Sequence, residues 1–90
     1  MGDREALLAF VATAIVLKTR FLDEYRENLR AARKEYFNLK EEWRRAPIKY
    51  EKWRAESLRD NIDHLSGIVQ GTDVVLAAMK RDRNRWEASE

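Results

Sequence analysis

Apolar residues recur along the chain at alternating steps of three and four. From Leu8 the series runs through Val11, Ile15, Lys18, Leu22, Tyr25, Leu29, Ala32, Tyr36, Leu39, Trp43 and Ala46, and only Lys18 is polar. A second series begins at Ala55 and continues through Leu58, Ile62, Leu65, Val69, Thr72, Leu76, Met79, Arg83 and Trp86, with Thr72 and Arg83 as its weak members. Three-four spacing puts these residues on one stripe of a helix and is the seam of a coiled coil. Neither glycine nor proline occurs between Asp3 and Ala46, so nothing local interrupts the first helix.

The only proline, Pro47, separates the two series. A proline tolerates the first turn of a helix and biases the residue before it away from helical geometry. Folding the chain back there sets Leu8 against Trp86, Ile15 against Met79, Tyr25 against Val69 and Leu29 against Leu65. The same register sets Ala32 against Ile62, Tyr36 against Leu58, and Leu39 against Ala55. The pattern therefore predicts an all-α, single-domain chain (1–90), a long antiparallel helical hairpin. Its first arm covers about 3–46, the turn about 45–49 and the second arm about 48–88. Asp3 and Glu5 at the start, and Lys80, Arg81, Arg83 and Arg85 near the end, suit the helix dipole. Gly67 and Gly71 leave two readings open. The second arm either breaks there, giving three helices, or continues and uses its small residues for close helix approach.

A second apolar stripe follows the same spacing, one residue before the seam, at the end away from the proline. It comprises Leu7, Phe10, Ala14, Leu17 and Phe21 on the first arm, and Ile68, Gly71, Val75 and Ala78 on the second. Val16 and Val74 widen it. A helix apolar over most of its circumference is buried on more than one side, and a lone hairpin buries one seam. The expected remedy is a protein partner or a second copy, in the simplest case a dimer forming a four-helix bundle. Lipid is the rival. Ala6 to Leu17 makes about 18 Å of helix against a hydrocarbon core of roughly 30 Å, and a longer span must take in Lys18 and Arg20.

Composition supports the helical reading and narrows the rest. The chain is 44% hydrophobic and 38% charged with a formal charge of +2, which is neither disordered nor an ordinary membrane protein. The absence of cysteine excludes disulfides and thiolate chemistry and suits a cytoplasmic setting. The acidic "DRE" before the first apolar run speaks against a cleaved signal peptide, and Ala6 fails the myristoylation pattern.

Charge is uneven, however. Residues 26 to 59 hold eleven Lys and Arg against six Glu, with Tyr36, Phe37, Trp43, Tyr50 and Trp53 among them. Arg44, Arg45, Lys49, Tyr50, Lys52, Trp53 and Arg54 cluster around the proline, where they would contact an anion, a nucleic acid or an acidic protein. The plainer reading is a solvated face with aromatics plugging the corner, and no nucleic-acid-binding signature is present.

Candidate chemistry is sparse. His64, the one histidine, follows Asp60 by one turn and adjoins Asp63, but Asn61 stands where a bundle-type metal site has glutamate. Ser57, Ser66 and Ser89 lack a histidine partner, and no glycine-rich phosphate loop occurs. The expectation is a non-enzymatic assembly or adaptor subunit with no metal or cofactor. A nucleic-acid-binding protein and a small membrane-associated subunit are the alternatives. Small helical-hairpin secretion substrates share the size and shape, but their Trp-x-Gly turn is absent; here it reads "WRRAP".

Overall fold

A computed structural model describes residues 2–88. They form helix α1 (Gly2–Arg45), a short 3-10 turn (Pro47–Lys49) and helix α2 (Lys52–Ala88), and among the described residues there is no strand. The two helices pack antiparallel into a rod of 69 × 16 × 15 Å. Forty-four residues at 1.5 Å each give about 66 Å, so α1 alone sets the length.

Pro47 ends the first helix as anticipated. Ala46 leaves helical geometry at φ −136°, ψ 79°, in keeping with the bias against the helical region that a following proline imposes. The Ala46 amide still bonds the Glu42 carbonyl at 2.9 Å, and the reversal is then carried by Lys49 N–H to Ala46 O and Tyr50 N–H to Pro47 O. Among the described residues none has a positive φ, so the turn needs no glycine. The second helix starts at Lys52, four residues later than the expected boundary near 48. Pro47 launches the separate 3-10 turn instead, and Tyr50, at φ −61° and ψ 128°, is extended between the two elements.

The seam buries the expected residues. Ile15, Leu22 and Leu76 form one cluster with Val11, Val69 and Met79 against it. Leu29, Ala32 and Leu65 form the next, with Tyr25, Ile62 and again Val69. Leu39, Trp43 and Ala55 form the third, with Tyr36 and Leu58. Each internal pair anticipated from the register falls within one cluster. The outermost pair, Leu8 and Trp86, lines one shallow surface cavity, and Arg4 donates a hydrogen bond to the Trp86 carbonyl there. At the other end Trp43 fits over Ala55, which is 1% exposed.

Helix α2 runs unbroken through Gly67 and Gly71, which removes the three-helix alternative. The close-approach reading fails within the hairpin too: a Cβ placed on either glycine meets nothing within 4 Å. Seam packing on both sides carries the helix across them; their own propensity does not.

Candidate functional site

Two surfaces stand out, one at each end of the rod. The open end is built by geometry that the linear pattern hides. In an antiparallel pair, positions one residue before the seam on either helix fall on the same side, because reversed direction and shared handedness cancel. Positions one residue after the seam likewise share the opposite side. The cross-helix ties prove the second half of this statement. Arg26 donates to both carboxylate oxygens of Asp73 at 3.0 Å, and Arg33 reaches the Ser66 hydroxyl at 3.5 Å; all four residues follow a seam position.

The side with Arg26, Arg33, Ser66 and Asp73 is therefore polar and bridged along that stretch. Its opposite carries Leu7, Phe10, Ala14, Leu17 and Phe21 from α1 with Ile68, Gly71, Val75 and Ala78 from α2. Leu7, Phe10, Leu17, Phe21, Gly71 and Val75 are exposed, Phe10 at 72% and Leu17 at 58%, while Ala14, Ile68 and Ala78 are half-buried. From Leu7 to Phe21 the apolar surface extends about 21 Å along the rod. Ala14, Leu17, Lys18 and Phe21 line a shallow depression within it. Lys18 does not enter the seam; its ammonium lies 5.6 Å from the centre of the Phe21 ring, and Phe21 in turn packs on Tyr25 at 4.4 Å between centroids. Val16 and Val74 are exposed as well, but Val16 follows a seam position, as Ala9 and Ala12 do, and so lies on the other side.

The turn end is basic. Arg44, Arg45, Lys49, Lys52 and Arg54 surround it, as expected, and all but half-buried Arg54 are exposed. Glu41 pairs with Arg44 at 2.7 Å. Lys52 lies 3.9 Å from Glu56, and Arg54 lies 3.7 Å from Glu35 across the hairpin. Arg45 and Lys49 make no ion pair among the described residues. Of the off-seam aromatics, Tyr50 meets the Trp43 ring edge-on at 5.1 Å and so helps to close the corner. Phe37 and Trp53 stay exposed, Trp53 at 69%. Ile48, which the periodicity passes over because it lies in the turn, is 96% exposed at the apex.

Between the ends, Arg59 donates to the Tyr36 hydroxyl at 2.8 Å. That hydrogen bond, ahead of the charge interaction with Tyr36, pushes the Arg59 guanidinium up from its ordinary value. His64, Asp60 and Asp63 are exposed, and among the described residues no three His, Asp or Glu side chains converge as metal ligands would. Among the described residues no helix is long and apolar enough to cross a membrane. Comparison of the chain with protein-family models, curated proteins and solved structures returns no match.

Proposed function

We propose that this chain is a non-enzymatic assembly or adaptor subunit. The apolar side of its open end packs against another helical surface, in the simplest case the same side of a second copy, making a four-helix bundle. The observation that supports this reading is the apolar surface around Phe10 and Leu17, which neither helix of the hairpin covers. Exposed apolar zones of this continuity mark association surfaces. Packing energetics point the same way. Among the described residues nine apolar side chains are buried, in three small clusters. Ordering each backbone residue costs about 1–2 kcal/mol, and one narrow seam between two long helices offsets that poorly. A second seam on the open end supplies the missing burial.

Light scattering on the purified protein tests the proposal. The expected result is a dimer at micromolar concentration. Leu17→Glu and Phe10→Glu each weaken association by roughly 2–4 kcal/mol while leaving the residues of the hairpin seam intact. A stable, fully helical monomer at the same concentration contradicts it.

A further inference from the structure

We propose that the turn end of the rod is a docking tip for an anionic lipid bilayer surface, inserted at the headgroup level and distinct from the association surface at the open end. Three observations meet there. Ile48, an aliphatic side chain at the extreme of the molecule, is 96% exposed and flanked by exposed Trp53 and partly exposed Tyr50. Five cations, Arg44, Arg45, Lys49, Lys52 and Arg54, surround it; Arg44, Lys52 and Arg54 lie beside Glu41, Glu56 and Glu35, while Arg45 and Lys49 make no ion pair among the described residues.

Two of the cations also oppose a helix dipole. Arg44 and Arg45 suit the C-terminus of α1, but Lys52 and Arg54 sit at the N-terminus of α2, whose first turn has no acidic residue. Positive charge there is unfavourable for the helix itself. Glu51, just before the helix, and Glu56, 3.9 Å from Lys52, offset this only in part. An external anionic surface would add to that compensation, and it would be the first ionic partner for Arg45 and Lys49.

The shape selects among anionic partners. The rod is 16 × 15 Å across, so its end offers a few hundred Å² at most, against roughly 800 Å² per partner in a standard protein interface. A single-stranded nucleic acid wants a basic groove with aromatic platforms for its bases, whereas this tip is convex and led by an aliphatic residue. A bilayer needs neither area nor a groove. The aliphatic apex enters the headgroup boundary, Trp53 and Tyr50 occupy the interfacial zone that such rings prefer, and the long basic side chains reach lipid phosphates. Because no described helix is long and apolar enough to span the bilayer, this contact is peripheral, reversible and sensitive to salt.

The test is co-sedimentation of the full chain with vesicles of phosphatidylcholine alone and of phosphatidylcholine mixed with phosphatidylserine, at low and high salt. The chain has no cysteine, so Ile48→Cys carries an environment-sensitive dye at one defined site. Binding to the anionic vesicles only, lost at high salt, with a blue shift of the dye, is expected. Arg45→Ala should weaken partition about five-fold, and Ile48→Glu about ten-fold or more, with helicity by circular dichroism unchanged because Ile48 packs on nothing. Equal binding to uncharged vesicles overturns the proposal. So does an unshifted dye on sedimented protein, which would place the contact elsewhere on the rod. Binding of an oligonucleotide under conditions where the anionic vesicles are not bound overturns it in favour of a nucleic-acid partner.

Discussion

Polar residues at seam positions behave differently according to whether their heads can escape. Lys18 can: its stem leaves the interface and its ammonium settles over Phe21, so a charged seam residue does not bury its charge. Arg83 escapes only in part, and its Nε is buried with no hydrogen-bond partner among the described residues. A buried donor without a partner costs about 1–3 kcal/mol. Arg83→Met keeps the length and the apolar stem, and chemical denaturation should show a gain of about 1 kcal/mol; a loss would mean that the guanidinium makes a favourable contact. Leu22, 2% exposed in the cluster with Ile15 and Leu76, has no such latitude. Leu22→Ala should cost about 2–5 kcal/mol.

For the elements, helix α2 persists across two glycines because packing outweighs propensity. Gly67 has helical geometry and open space at its Cβ position. Gly67→Ala should therefore raise stability by about 0.5–1 kcal/mol in a denaturant titration. A drop would mean that something packs closely on that glycine in the assembled protein. The hairpin and its register were legible in the sequence because a three-four repeat and one proline constrain them jointly: once Leu29 faces Leu65, Leu39 must face Ala55. The start of α2 was not, since the 3-10 turn from Pro47 to Lys49 and extended Tyr50 are set by local hydrogen bonds that periodicity does not carry. Both stripes of the open-end surface were legible, but not that they share a side. That follows only once chain direction is fixed, and the Arg26–Asp73 tie makes it visible. Ile48 was invisible for the same kind of reason: a residue in a turn belongs to no helical face.

At the scale of the whole molecule the rod has two unlike ends joined by a thin core. Its middle is held by apolar clusters and solvent-exposed cross-ties such as Arg26–Asp73, worth at most about 1 kcal/mol each. Such a rod gains more from covering its open end than from any further tie along its length. If folding and association are coupled in this way, mass action makes stability depend on protein concentration. Thermal unfolding followed by circular dichroism over a hundred-fold range of concentration measures that coupling directly. Coupled folding and association give a midpoint that climbs steadily with concentration in the unmodified chain and a lower one, flat with concentration, in Leu17→Glu. A midpoint that stays constant for the unmodified chain, with a reversible transition from full helicity, would contradict that coupling.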